Sequence, residues 1–448
     1  MKKDLTQGKV TSSLLLFACP MILGNLLQQC YNIADTLIVG RFLGADALAA
    51  VGSAYSFMTF LTSVITGLCM GSGTVLSVWI GRKDSQRMKE CMAASFLFIL
   101  LVSVIISILA FAGISFILDM LHVPAGIYGL MQEYMWIIFY GIFFVFLYNF
   151  FAFVLRAAGN SVMPLCFLGI AAVLNIVLDW LFVVIFRKGV GGAAAATVIA
   201  QAVSGIGISM YVWLKETGFR LQKEDFRFSK GTVREVIWHS VAACVQQSVM
   251  NFGILMIQGL VNRFGAAVMA AFAAAVKIDS FAYMPAQEFG NAFSVFISQN
   301  YGGRKTGRVK EGIRQAVKVS VLFCLAVSAV IVLFAPYLMQ IFVDGGETNI
   351  IQTGTGYLRV EGSFYCGIGM LFLLYGFYRG VEKPGMSLVL TVISLGIRVF
   401  LAYLLAPVPF IGVWGIWWAI PIGWFLADLI GVLFIRRTLG KLYYYSGG

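Results

Sequence analysis

About twelve apolar runs, each long enough to cross a bilayer, follow one another from Ser12 almost to the end of the chain, and this pattern constrains the fold more than any other feature. They fall near 12–34, 48–78, 92–118, 134–155, 163–186, 192–213, 234–261, 266–299, 314–342, 355–378, 385–406 and 412–435. The second and eighth runs exceed what a span requires, so tilted or broken helix and interfacial turn are expected there. Only 12% of the 448 residues are charged, about half the share in soluble domains. Lipid must therefore cover most of the surface. The polar stretch Met1–Lys9 leads into an apolar segment without a small-residue cleavage site, which reads as a retained first span. The eight cysteines are scattered through the apolar runs with no CxxC pair, and serve as small hydrophobes.

The 32 Lys and Arg against 20 Asp and Glu give a formal charge of +12. If both termini face the cytoplasm, 25 of those basic residues fall in cytoplasmic segments and four (Arg41, Arg187, Lys188, Arg263) in outer ones, leaving Lys277, Arg359 and Arg398 within spans. Such an asymmetry sets orientation in a membrane. It also accounts for the basic excess without nucleic acid, because the charges lie in separate short loops that lack an aromatic platform or a reading helix.

The chain is written twice. Val39-Gly-Arg-Phe-Leu-Gly-Ala45 returns as Val261-Asn-Arg-Phe-Gly-Ala266, and Gly81-Arg-Lys83 as Gly303-Arg-Lys305. Tyr134, Arg156, Met163 and Leu165 recur 223 positions later as Tyr357, Arg379, Met386 and Leu388. Six spans per half is an even number, so both copies enter from the same side, as a parallel repeat does. The expected class is an all-α integral membrane protein of twelve transmembrane helices in two six-helix lobes, 1–213 and 234–448, joined by a charged cytoplasmic linker at 214–233. Two such lobes leave a cleft that rocking exposes to each side in turn, which is transporter architecture.

Ionisable groups inside spans are functional candidates by default. Gln28, Asn32 and Asp35 share one face of the first helix, and Asn175 and Asp179 lie one turn apart on the fifth. If the two faces meet, they form an oxygen-rich cluster suited to exchanging protons or holding a small cation. The alternative puts Asp35 in water at an outer helix end and makes Asp179 a single satisfied polar group. The second half does not repeat the acids: the alignment sets Ile257 opposite Asp35, Arg398 opposite Asn175 and Ala402 opposite Asp179. It offers instead Gln246, Gln247, Asn251, Lys277, Asp279, Glu288, Arg398 and Asp428, of which Gln247, Asn251, Lys277 and Arg398, with Gln28 and Asn32, are candidates to line a cavity. Pro20 removes a backbone hydrogen bond within the first span and marks a hinge. Gly67-Leu-Cys-Met-Gly71-Ser-Gly73 fits close helix packing. No GxxxxGK[ST], HExxH, GxSxG or Cys/His cluster occurs, so neither an enzyme nor a bound cofactor is expected.

Ala34-Asp-Thr-Leu-Ile-Val-Gly-Arg-Phe-Leu-Gly-Ala-Asp-Ala-Leu-Ala-Ala-Val-Gly52, Ala282-Tyr-Met-Pro-Ala and Ser298-Gln-Asn-Tyr-Gly-Gly303 carry a resemblance to the multidrug and toxic compound extrusion (MATE) family across essentially the whole chain. The resemblance implies a two-lobe exporter that exchanges H+ or Na+ for organic, often cationic or amphipathic, compounds. In the DinF-like branch the first lobe holds the cation, and its residues match Asp35, Asn175, Asp179 and Thr197, with the first-helix proline at Pro20; this set is the candidate Na+ or H+ site. The NorM-like branch carries acids in its seventh and tenth helices, where this sequence has Gln246, Gln247 and Gly376 to Tyr378, and the departure favours first-lobe coupling. The implied protein is a monomeric, multi-pass cell-membrane antiporter with both termini cytoplasmic, a small organic substrate and no nucleic-acid partner. The competing reading is a flippase for lipid-linked glycan precursors, which a cleft lined by Lys and Arg would favour.

Overall fold

The computed structural model describes residues 4–121, 123–227 and 229–444. Lys2 and Lys3 of the charge count lie outside the described residues, as do the side chains of Arg436 and Lys441. Fifteen α-helices account for nearly all of the described chain, which contains no strand. The first eight are α1 (Val10–Leu43), α2 (Ala45–Arg82), α3 (Ser85–Ala112), α4 (Ile114–Met120), α5 (Ala125–Ile138), α6 (Gly141–Ala157), α7 (Val162–Asp179) and α8 (Gly189–Lys215). They are followed by α9 (Lys230–Val261), α10 (Ala266–Gly302), α11 (Thr306–Gln340), α12 (Thr348–Ser363), α13 (Tyr365–Gly380), α14 (Pro384–Leu405) and α15 (Val413–Tyr444).

Ten helical segments are long and apolar enough to cross a membrane, and two bent pairs, α5 with α6 (45°) and α12 with α13 (52°), bring the number to twelve. The sharp bends therefore lie in the fourth and tenth runs. The second and eighth runs, where tilted or broken helix is expected, are the continuous helices α2 (38 residues) and α10 (37 residues), so the broken alternative does not hold. At about 1.5 Å per residue each is roughly 55 Å long, so the surplus length is taken up as helix. The breaks that do occur are tight turns, with Tyr140 N donating to Ile137 O (3.2 Å) and Phe364 N to Glu361 O (3.0 Å). Such i→i+3 turns leave a run's hydropathy unchanged, which is why the composition does not reveal them.

The chain forms two compact units. One is built on Leu23–Cys244, and the other on Leu5–Ile22 and Val245–Gly448. Two helices thus change unit along their length: α1 just after Pro20, and α9 after Cys244. The first unit packs around an aromatic cluster of Phe96, Phe146 and Phe150, and the second around Phe272, Tyr357 and Trp417, with the Phe272 and Trp417 rings stacked 5.6 Å apart.

Small residues set the closest approach in the first unit. A Cβ on Gly67 would lie 2.6 Å from Cys244 Cα, and one on Gly71 would collide with the His239 carbonyl and lie 2.6 Å from Ser240 Cα. Glycine at these two sites lets α2 meet the start of α9 backbone to backbone. In the second unit the segment before α1 is strapped down by side chains at the α10–α11 turn. Arg308 donates to the carbonyls of Leu5, Gln7 and Gly8, Lys305 to Thr6 O and Oγ1, and Asn300 to Leu5 O.

Candidate functional site

The candidate coupling residues all belong to the first unit. Counting from the helix ends, Asp35 lies about 12 Å before the end of α1 and Thr197 about 12 Å after the start of α8. Asp179 is the last residue of α7, where the helix widens into a π-helical stretch, Trp180–Ile185, with Phe186 N bonded to Leu181 O (2.9 Å). Such local widening re-aims side chains and recurs at functional sites. Here it follows directly on the acid.

The structure brings Asp35, Asn175, Asp179 and Thr197 together. Asn175 Nδ2 donates to Thr197 Oγ1 (3.3 Å), which itself donates to Ala193 O (3.2 Å). The carboxyls of Asp35 and Asp179 are close enough to act directly on each other, an arrangement that a proton on one of them or a cation between them would relieve. Asp179 is completely buried and Asn175 nearly so. Among the described residues, no donor reaches Asp35 Oδ1, either oxygen of Asp179, or Asn175 Oδ1. No Lys or Arg acts on either carboxyl. Buried acceptors without donors call for an explanation, and these four oxygens belong to residues on two neighbouring faces with no basic side chain acting on the carboxyls. The donor set, two carboxylates, an amide oxygen and a hydroxyl, suits a hard cation such as Na+ as well as a proton.

Tyrosines also act on these groups. Tyr134 is buried and acts electrostatically on both acids, and Asn32 Nδ2 donates to Tyr55 Oη (3.1 Å). Gln28 is exposed and bonds to Tyr31. The sequence marked Tyr134 only as a repeat position; its place in a span, at helical depth beside two acids, was the available signal.

The second-unit candidates do not form one group. Gln247 and Asn251 are half-buried on α9, and Lys277 is exposed on α10. None of the three bonds to another side chain among the described residues. Arg398 is buried on α14 and acts on Asp279 and Glu361, both 3% exposed. Tyr365 donates to Asp279 Oδ1 (2.6 Å), and Tyr357 bonds to Glu361. Glu361 is absent from the sequence-based candidates although it is an intramembrane carboxylate in the tenth run. The two acids here have an arginine between them electrically, whereas the first-unit pair has none.

Comparison with known proteins agrees with this architecture. The MatE family model matches twice, at residues 20–181 and 242–404, the two copies starting 222 positions apart. A probable multidrug resistance protein of Bacillus subtilis (strain 168), YpnP, is 31% identical over 392 residues, which cover 87% of each chain. The probable multidrug resistance protein NorM of Thermotoga maritima is 26% identical, over 98% of this chain and 93% of its own. A crystal structure of MATE in the bent conformation superposes with a TM-score of 0.93 at 25% identity, covering 99% of this chain and 98% of the other.

Proposed function

The chain belongs to the MatE family of membrane transporters, and from that premise we propose that it is a cation-coupled antiporter exporting organic compounds across the cell membrane by alternating access. The names of the relatives, multidrug resistance proteins, support organic substrates, and a cationic or amphipathic one fits a protein whose exchange ion is held by carboxylates. The Lys and Arg asymmetry supports cytoplasmic termini. One observation carries the coupling role: four buried oxygens of Asp35, Asn175 and Asp179 have no donor, and no basic side chain acts on the two carboxyls.

The coupling ion, H+ or Na+, is cargo. Asp35 and Asp179 supply its charge complement, and Asn175 and Thr197 fix the geometry. Asp35 rides on α1, whose residues up to Ile22 pack with the second unit and whose residues from Leu23 pack with the first. Pro20 lies at that changeover and lacks the N–H that would bond to Leu16 O. Ion occupancy that favours one shape of α1 shifts the exposure of the substrate only by its differential affinity for the two shapes. Holding Asp35 between a fixed acid and a hinge provides such a difference. The flippase reading loses support because Arg398, half of its basic case, is buried and acts electrostatically on Asp279 and Glu361.

The test is efflux of a fluorescent organic cation from proteoliposomes in which pH and Na+ gradients are imposed independently. Wild-type efflux should accelerate under one of them, and the Asp35→Asn, Asp179→Asn double variant should not respond to either. Gradient-independent efflux by the wild type, or a full response by the double variant, sinks the proposal.

A further inference from the structure

A groove on the second unit has features of a ligand site unrelated to the carboxylate pair. It is a cavity of about 470 Å³ between α11, α12 and α15, walled by Pro336, Arg359, Phe364, Trp414 and Trp418 among others. Its neighbours show what it faces. On α15 the exposed residues Trp414, Trp418, Ile422, Phe425, Leu429 and Leu433 recur at steps of three and four, and on α11 Leu322, Leu325, Leu333 and Tyr337 are likewise exposed. Continuous apolar stripes on helices of membrane-crossing length are lipid-facing surface, so the groove opens to hydrocarbon.

Polar groups in a lipid-facing groove are costly unless they have a partner. On α12 most residues are buried, but Gln352, Arg359 and Ser363, spaced by seven and four, form an exposed polar stripe along the groove. The Ser363 hydroxyl donates to Arg359 O (2.6 Å), while the Arg359 guanidinium has no partner among the described residues. Thr355, 7% exposed in the same wall, has a hydroxyl oxygen that is buried and unpaired. The apolar side is built with equal definition: Phe364 and Trp418 meet edge to face at 5.7 Å, and Trp414 lies so close to α12 that a Cβ on Gly356 would fall 3.0 Å from its ring.

Depth decides which ligand fits. The groove lies at the end of the unit where α11 finishes and α12 and α15 begin. Trp414 and Trp418 stand about 2 and 8 Å inside that end, Pro336 about 6 Å, and the Arg359 backbone about 16 Å. Helical side chains lean toward the N-terminus, so the guanidinium rises roughly 6 Å toward the surface, to the border of headgroups and acyl chains. A cationic fork at that border, flanked by hydroxyls and floored by aromatic rings, matches a molecule with a phosphate at one end and a hydrocarbon chain at the other.

We propose that this groove binds an anionic phospholipid, its phosphate held by Arg359 with Thr355 and Gln352 and its acyl chain lying over Phe364 and Trp418. The site is on the lipid side of the second unit and takes no part in ion coupling.

The experiment uses the full-length protein in detergent and reads lipid retention by native mass spectrometry and melting temperature, with phosphatidylglycerol, phosphatidylcholine and inorganic phosphate as separate probes. Wild type should retain one phosphatidylglycerol about five- to tenfold more strongly than phosphatidylcholine, and phosphate alone should not raise the melting temperature. Arg359→Gln should erase the preference, Arg359→Lys should keep part of it, and Arg263→Gln, which removes a basic residue at the same end of the unit, should leave it intact. If Arg359→Gln does not fold, Thr355→Val with Gln352→Leu should lower phosphatidylglycerol retention about threefold while phosphatidylcholine is unchanged. An undiminished preference in Arg359→Gln or in the Thr355, Gln352 variant overturns the proposal. So does an equal loss in Arg263→Gln, which would mean diffuse surface charge, or an equal melting shift with phosphate, which would mean a free-anion site.

Discussion

Removing the Arg308 guanidinium should release the start of α1 while leaving the second unit folded. The side chain donates four hydrogen bonds: Nη1 to Gly8 O (2.6 Å), Nη2 to Leu5 O (3.0 Å) and to Gln7 O (3.1 Å), and Nε to Asn300 Oδ1 (3.1 Å). A bond from a charged donor contributes about 1.5 kcal/mol or more when shielded, and roughly half that at a half-exposed site, so four amount to about 3 kcal/mol. Lys305 still holds Thr6 through O (2.8 Å) and Oγ1 (3.0 Å), and Leu5 and Val10 stay in the core. The loss should therefore appear as local opening, about 100-fold more frequent in Arg308→Ala. Hydrogen–deuterium exchange of peptides covering Val10–Leu16 reads this directly, with peptides from α7 and α13 as internal references. Arg308→Lys should recover only a minor part, since an ammonium cannot reach three carbonyls in the planar fork geometry. Acceleration below about threefold, or equal acceleration in α13, would refute the strap and assign Arg308 either no role or a global one.

In ion-driven efflux, Asp35→Asn and Asp179→Asn together should cost no more than either alone, because one ion is shared; additive losses would put the ions at separate sites. Gly71→Leu should lower the melting temperature by several degrees, as overpacking worth about 1–3 kcal/mol does, since its Cβ alone already falls 2.6 Å from Ser240 Cα; unchanged melting would mean that α2 and α9 separate freely. Arg398→Gln should lower the melting temperature by removing the one basic side chain that acts on Asp279 and Glu361. Adding Glu361→Gln should restore most of that stability, and failure of the second change to rescue would show that Arg398 acts through packing instead.

Span number and the repeat were legible because both depend on residue type at fixed spacing, which lipid and duplication impose on the sequence directly. Pairing is another matter. Arg308, Lys305 and Arg379 look alike as loop charges in a topological count, yet Arg308 and Lys305 bind the segment before α1 and Arg379 is buried, donating to Asn291 Oδ1 (2.9 Å). Those partners lie up to 303 positions away in the chain, beyond any local pattern. The breaks at Tyr140 and Phe364 were hidden for the opposite reason: they are local, but they involve backbone turns that apolar residues make as readily as helix.

The candidate site was legible where acids sit on a helical face, and incomplete where the repeat marked a residue only as scaffold. Tyr134 and Tyr357 are repeat partners, both buried, and each acts on the carboxylates of its own unit: Tyr134 on Asp35 and Asp179, Tyr357 on Glu361 and Asp279. The duplication thus keeps a phenol beside a carboxylate cluster in each unit while the acids come from different helices, α1 and α7 in one and α10 and α12 in the other. Position-by-position alignment of the halves misses this, since Glu361 falls opposite Ile138 and Asp35 opposite Ile257. What separates the clusters electrostatically is Arg398. With it, the second cluster is already balanced in part by a fixed charge and has less need of a mobile one. Without a counterpart, the first has no fixed positive charge beside its carboxyls, and that difference is what supports the coupling role proposed for Asp35 and Asp179 rather than for the second cluster.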